Sequence, residues 1–162
     1  MAQVYFGLGS NMEPEANLAL GLGELRERFG ELTLSSVYQS KTLGFDGDDF
    51  LNMVVAVQTV KSPESICAEI KEIHDKSGRE GGTARFVSRP LDIDLLIYGQ
   101  LVENKPPVKL PRKDVLEYSF VLVPLAEIAP EFVHPVTGRT FGEHAQEFDA
   151  SCHPLTLSDV IL

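Results

Sequence analysis

The sequence predicts an α+β domain of the ferredoxin-like βαββαβ plan, with helices packed on a mainly antiparallel sheet. Three observations predict it. Short apolar runs and two helical patterns follow one another in that order, 43% of the 162 residues are hydrophobic, and no shift in composition divides the chain. These are the properties of an ordinary globular chain of one-domain length. We therefore expect a single domain over residues 1–162, with one face of the sheet free to carry a ligand.

The first half of the chain predicts three strands and one helix. An apolar run over residues 4–8 predicts the first strand, ending in a tight turn at Gly7-Leu8-Gly9-Ser10-Asn11. Pro14 suits the first turn of a helix, and leucines at helical spacing follow until Gly30, which is a plausible stop. Residues 32–38 and 50–57 are rich in apolar residues and predict the second and third strands.

The second half of the chain predicts a helix, a strand and a shorter helix. Ser62 is a suitable cap for a helix whose first position is proline, and isoleucines at helical spacing carry that helix to Gly78. Residues 79–88 predict a loop, and the apolar run that includes residues 92–98 predicts the fourth strand. Residues 119–128 predict a short helix.

Charge and cysteine content narrow the expected partners and location. The formal net charge is -10, which opposes non-specific binding to nucleic acid or to an anionic membrane surface. Two cysteines without a Cys-x-x-Cys pattern are typical of reduced thiols in a cytosolic protein. The N-terminus lacks the pattern of a signal peptide, and no apolar run approaches a membrane span. We expect a cytoplasmic protein, a monomer or weak dimer, with no nucleic-acid or membrane partner.

Two carboxylates, Asp92 and Asp94, lie two residues apart in the predicted fourth strand. Strand alternation places them on one face, about 6 to 7 Å apart. Burying carboxylates is costly unless a cation or donor satisfies them, and Mg²⁺ takes one or two protein carboxylates together with phosphate oxygens. The pattern therefore suggests a Mg²⁺–phosphate site. A pair of solvent-facing acids on an edge strand is the alternative.

Three arginines, Arg79, Arg85 and Arg89, lie just upstream of these acids. A guanidinium binds phosphate oxygens in a bidentate fork and keeps its charge, which favours a phosphate partner for the metal. The alternative is a set of surface arginines that pair with the acids of this acidic chain.

Phe50 and Asn52 share one face of the predicted third strand. An aromatic ring can stack on a flat heterocycle while a nearby amide reads its hydrogen-bonding edge. Such a pair is more often core packing beside a capping Asn, and by itself it favours that interpretation.

Together these motifs resemble the 6-hydroxymethyl-7,8-dihydropterin pyrophosphokinase family. The resemblance covers nearly the whole chain and rests on Gly9-Ser10-Asn11, Asp49-Phe50-Leu51-Asn52, Gly78-Arg79, Arg89-Pro90-Leu91-Asp92-Ile93-Asp94, Phe120-Val121-Leu122-Val123-Pro124-Leu125 and Ile128-Ala129-Pro130. It implies the same ferredoxin-like fold. It also implies an enzyme of folate biosynthesis that transfers pyrophosphate from ATP to 6-hydroxymethyl-7,8-dihydropterin, giving AMP and the pterin pyrophosphate.

The resemblance also implies roles for individual residues. Two Mg²⁺ ions, bound together with ATP, would be held by Asp92 and Asp94, and the catalytic set would be completed by Arg79 and Arg89. The residues that would contact ATP are Arg79, Arg85, Arg89, Leu95, Lys109 and Arg112. The residues that would contact the pterin are Thr42, Leu43, Phe50, Asn52, Phe86 and Phe120.

The chain departs from the family pattern mainly on the nucleotide side. Arg112 stands where the family usually has His, Tyr118 where an Arg is expected, His74 where Glu is common, and Phe86 where a Trp is usual. These departures motivate an alternative from a different class: a catalytically weakened paralog that acts as a pterin- or nucleotide-binding module. A pyrophosphokinase with an altered pterin substrate lies between the two.

Overall fold

A computed structural model describes residues 1–41, 47–78, 90–149, 151 and 154–162. In chain order the described elements are β1 (Ala2–Ser10), α1 (Pro14–Phe29), β2 (Thr33–Leu34), β3 (Tyr38–Ser40), β4 (Phe50–Thr59), α2 (Pro63–Lys76), β5 (Asp92–Tyr98), β6 (Glu103–Lys105), β7 (Val108–Leu110), α3 (Asp114–Glu117), α4 (Ser119–Ile128), α5 (Phe141–Glu147) and β8 (Leu155–Leu157).

The main sheet has the strand order β5-β1-β4-β3-β8, and β2 also pairs with β4. Every pairing in it is antiparallel. The four predicted strands therefore lie in the order fourth, first, third, second, as the βαββαβ plan requires. The α+β fold class predicted from the sequence is confirmed.

Helices α1 and α2 cover one face of this sheet, and both begin as predicted. Pro14 is the first residue of α1. The helix ends before Gly30, whose φ of 82° is a backbone angle that glycine adopts easily. Ser62 caps α2, its side chain accepting a hydrogen bond from the backbone N–H of Ser65. Alternate residues of β1, including Phe6, are buried against these helices.

The opposite face is not wholly free, so that part of the sequence expectation is wrong. Tyr5, Val54 and Leu96 point to this face and are buried with Leu125 of α4 and Phe141 of α5. The sheet is apolar on both faces at this end, and each face therefore needs a covering layer. In the described part of the chain, the far end of the second face carries glycines and polar residues in place of apolar ones, and this end is the part left for a ligand.

The predicted second strand, residues 32–38, is instead two short strands, β2 and β3. Ser35 interrupts it: its N–H donates to the carbonyl of Val54, and its hydroxyl accepts from the N–H of the same residue, both at 2.9 Å. A side chain thus takes the place of one backbone partner, which breaks the regular ladder.

None of the described helices is long and apolar enough to cross a membrane.

Candidate functional site

Three neighbouring strands bring the predicted polar residues to one face of the sheet. Gly9 of β1 lies opposite Asp92 of β5 on one side and opposite Asn52 of β4 on the other, and Gly7 lies opposite Asp94. The neighbours of the two acids along β5 are buried on the α1–α2 face. By strand alternation, the acids and Asn52 therefore share the opposite, open face.

The central strand contributes almost no side-chain bulk here. The tight turn predicted at Gly7-Leu8-Gly9-Ser10-Asn11 is wrong, because β1 continues as a strand through Ser10. A Cβ added to Gly9 would lie 3.2 Å from Asn52 Oδ1 and 3.8 Å from Cδ1 of Phe50. The glycines thus form a flat floor between the acids and the amide, a span of about 10 Å for two strand spacings.

The two acids are partly accessible. About a third of each side chain is exposed, 30% for Asp92 and 34% for Asp94. β5 is the sheet edge that the solvent-facing alternative requires, but most of each side chain is covered by its neighbours. Two hard oxygen donors on one face fit Mg²⁺, which takes few protein carboxylates and completes its shell with water and phosphate oxygens. No group of three or more His, Cys, Asp or Glu among the described residues forms a larger protein-only metal site.

Each acid has a nitrogen-bearing neighbour at a position where the family pattern is broken. Nε2 of His74 lies 4.0 Å from Oδ1 of Asp92 and accepts a hydrogen bond of 2.9 Å from the N–H of Ile93. Nη1 of Arg112 lies 3.7 Å from Oδ1 of Asp94. An anion approaching the acids would therefore meet the positive side chain of Arg112.

Arg112 is held beside β5 by its backbone and its side chain. Its N–H donates to the carbonyl of Leu96 at 3.0 Å, and Nη2 lies 3.4 Å from Oδ2 of Asp114. Burial, the largest single influence, lowers the pKa of Arg112, but the carboxylates of Asp94, Asp114 and Asp92 together raise it more, so the pKa lies above its ordinary value. Its buried Nε has no hydrogen-bond partner among the described residues. The side chain therefore remains a cation at the edge of the floor.

Asn52 is oriented by a residue that the sequence analysis missed. Its Nδ2 donates to Oγ of Ser40 at 2.7 Å, and both side chains are buried. This bond leaves the amide oxygen near Gly9. Ser40 lies opposite Phe50 in the β3–β4 ladder, so only the register between these two strands could have revealed it.

Phe120 lies in the first turn of α4, and that helix is tied to the sheet at its other end. Glu127 accepts hydrogen bonds from the N–H and hydroxyl of Ser36 and from the hydroxyl of Tyr38. Burial, and to a smaller extent the hydrogen-bonded carboxylate of Glu127, raise the pKa of Tyr38 to about 12, so its hydroxyl remains a donor at neutral pH. These bonds fix the helix that carries Phe120 against β3 and the residues just before it. The Phe120 ring is half-buried and lies parallel to that of Tyr118.

Of the remaining predicted residues, two are described by the structure and six are not. Lys109 has an exposed side chain on β7. The side chain of Leu95 is buried on the α1–α2 face, so only its backbone could contact a ligand on the open face. The other predicted residues lie outside the described residues: Thr42, Leu43, Arg79, Arg85, Phe86 and Arg89.

Comparison with known proteins identifies close relatives. A family model described as 7,8-dihydro-6-hydroxymethylpterin-pyrophosphokinase matches residues 5–130. The 2-amino-4-hydroxy-6-hydroxymethyldihydropteridine pyrophosphokinase of Aquifex aeolicus is 34% identical over 149 residues, which cover 91% of this chain and 92% of the relative. The enzyme of the same name from Haemophilus influenzae is 34% identical over 139 residues, covering 83% and 86%.

Solved structures give the same fold. The Plasmodium falciparum HPPK-DHPS wild type with pterin and p-hydroxybenzoate superposes with a TM-score of 0.74 at 14% identity, covering 90% of this chain. The A437G variant of that protein with STZ-DHP gives 0.73 at 14% identity, also over 90% of this chain. This chain spans less than half of the length of these solved chains, 43% and 45%.

Proposed function

The chain belongs to the 7,8-dihydro-6-hydroxymethylpterin-pyrophosphokinase family, and we propose that its reaction takes place on the glycine floor between Asp92 and Asn52. It is an ATP-dependent pyrophosphokinase, which transfers pyrophosphate from ATP to hydroxymethyldihydropterin in folate biosynthesis. The observation that carries the placement is the register in which Gly9 separates Asp92 from Asn52.

The acid side of the floor binds the nucleotide. Asp92 and Asp94 would hold Mg²⁺, and the family resemblance implies that two ions are bound. When bound, the metal neutralises charge on the ATP phosphates and polarises the group being transferred. Arg112 and Lys109 contribute positive charge beside the polyphosphate, and Leu95 contributes at most its backbone. Arg79, Arg85 and Arg89 are assigned to the nucleotide side from the family resemblance.

The amide side of the floor binds the pterin. Ser40 holds Asn52 so that its amide oxygen can accept a hydrogen bond from the ring N–H groups of the pterin. Phe50 and Phe120 offer aromatic faces on which a flat heterocycle stacks. Thr42, Leu43 and Phe86 are assigned to this pocket from the resemblance.

The geometry of the floor makes positioning the main contribution of the chain. The hydroxymethyl group loses its proton to solvent as its oxygen attacks the β-phosphorus of ATP in line, the bond from that phosphorus to the oxygen it shares with the α-phosphorus breaks, and AMP leaves with that oxygen. When both substrates are held on one sheet, the entropy cost of bringing them together is met on binding, before the reaction itself. A floor without side chains lets the two substrates meet between the acids and the amide.

AMP formation tests this placement. Purified protein is incubated with MgATP and hydroxymethyldihydropterin, beside a variant in which Asp92 and Asp94 are both changed to Ala. We expect AMP only from the wild type, and only when a divalent cation is present. Equal AMP formation by the double variant would overturn the placement. Calorimetric titration of Mg²⁺ with a non-hydrolysable ATP analogue then counts the ions, and a count other than two would refute that part of the proposal.

The remaining sequence expectations stay predictions. They are a single domain over residues 1–162, a cytoplasmic location, a monomeric or weakly dimeric state, and the absence of a nucleic-acid partner. The net charge of -10 supports the last of these, because it opposes binding to a polyanion.

A further inference from the structure

Tyr118 lies at the junction of α3 and α4 in a backbone conformation that is fixed from both sides. Its N–H donates to the carbonyl of Asp114 at 3.1 Å, and its carbonyl accepts from Val121 and Leu122 at 3.1 and 3.0 Å. Its φ and ψ are −124° and 132°, which is extended rather than helical. The direction in which its side chain leaves the chain is therefore set by three backbone hydrogen bonds.

This conformation allows Tyr118 to cover the ring of Phe120. Inside a helix, residues two apart point to different sides and do not meet. Because Tyr118 is extended and precedes α4, the two rings instead lie 5.0 Å apart between centroids at an interplanar angle of 12°. That is a stacked arrangement, which aromatic pairs favour when the rings are offset.

We propose that Tyr118 is a positioning residue for the pterin: it covers one face of Phe120 and so holds that ring for stacking on the heterocycle. This inference rests on the proposed contact between Phe120 and the pterin. The family pattern has an arginine at this position, so the substitution exchanges a cation for an aromatic support. Phe120 is only half-buried, and without Tyr118 its ring would have a wider choice of rotamers to lose on binding.

The test compares four variants with the wild type by calorimetric titration with hydroxymethyldihydropterin, in the presence of Mg²⁺ and a non-hydrolysable ATP analogue. Tyr118→Phe keeps the ring and should bind the pterin as the wild type does. Tyr118→Leu keeps apolar volume but removes the stack, and should weaken pterin binding by about 2- to 12-fold, the range that an aromatic pair is worth. The affinity for the nucleotide analogue should stay unchanged, and in turnover the KM for the pterin should rise without an equal rise in the KM for ATP.

Tyr98→Leu is the matched control. Tyr98 lies on the α1–α2 side of the sheet and donates its hydroxyl to the carbonyl of Lys61, so the same change there should lower the thermal midpoint without changing pterin affinity. Phe120→Ala separates the inference from its premise. If it leaves pterin affinity unchanged, the proposed contact of Phe120 fails. If it weakens binding while Tyr118→Leu does not, or if Tyr118→Phe weakens binding as much as Tyr118→Leu, the inference about Tyr118 is overturned.

Discussion

Changing Gly9 to Ala should damage pterin binding while leaving the strand itself intact. Gly9 does not have a positive φ, so alanine fits its backbone and removes the entropic penalty of glycine in a strand. The added methyl, however, would lie 3.2 Å from Oδ1 of Asn52, closer than an ordinary van der Waals contact. Asn52 can retreat only by disturbing its 2.7 Å hydrogen bond to Ser40.

The magnitude follows from that buried hydrogen bond. Losing one partner of a buried polar group costs about 1 to 3 kcal/mol, and 1.4 kcal/mol is a tenfold change in affinity. The affinity for hydroxymethyldihydropterin should therefore fall by about 5- to 150-fold. The affinity for a non-hydrolysable MgATP analogue should change much less, because the three atoms nearest to the new methyl belong to Asn52, Phe50 and Leu51. Calorimetric titration with each ligand measures both.

Gly23→Ala is the control for this experiment. Gly23 lies in α1, and a Cβ added there would meet nothing within 4 Å. It should raise the free energy of unfolding by about 0.8 to 1 kcal/mol, since glycine is a poor helix former, and leave both affinities unchanged. Pterin affinity in Gly9→Ala equal to that of the wild type would refute the glycine floor. So would equal losses for pterin and nucleotide, because the contact lies on the amide side.

Three further changes test the two sides of the floor. Asp94→Ala should abolish AMP formation while the circular dichroism spectrum and thermal midpoint stay close to wild type, because it removes a metal ligand and no core volume; near-normal turnover would show that Asp94 holds no metal. Arg112→His should tighten Mn²⁺ binding in the absence of nucleotide by about tenfold or less, since it removes a cation 3.7 Å from Asp94; electron paramagnetic resonance measures free Mn²⁺, and unchanged or weaker binding would count against this electrostatic role. Ser40→Ala should weaken pterin binding by about 5- to 150-fold, the range given for Gly9→Ala, because it removes the same buried hydrogen bond to Asn52. The nucleotide affinity should stay unchanged, and an unaltered pterin affinity would mean that Asn52 needs no such support.

Local patterns predicted the long elements well because their signals are contained within a few turns. Proline and glycine set both ends of α1, and Ser62 began α2. The strand predicted over residues 92–98 is the observed β5. The short elements β6 to β8, α3 and α5 were missed, since three to seven residues are too few to display a period.

The sequence predicts those parts of the site whose chemistry follows from residue type and spacing alone. Two carboxylates on one strand indicate a metal site whatever the position of that strand in the sheet. The role of Gly9 was misjudged, because glycines in sequence favour a turn, and only the pairing with β4 and β5 shows a strand. Ser40 gave no signal at all, since a serine acquires its role there from the register that places it beside Asn52.

Three of the departures from the family pattern, at His74, Arg112 and Tyr118, redistribute charge rather than remove it. Replacing Glu by His74 removes one negative charge beside Asp92, if that histidine is neutral, as its acceptance of the Ile93 N–H requires. Replacing His by Arg112 adds one positive charge beside Asp94, and replacing Arg by Tyr118 removes one. These three positions together therefore carry one positive charge more than in the family pattern. The loss of an arginine at Tyr118 therefore does not by itself imply a weakened nucleotide site, because Arg112 places a positive charge 3.7 Å from Asp94.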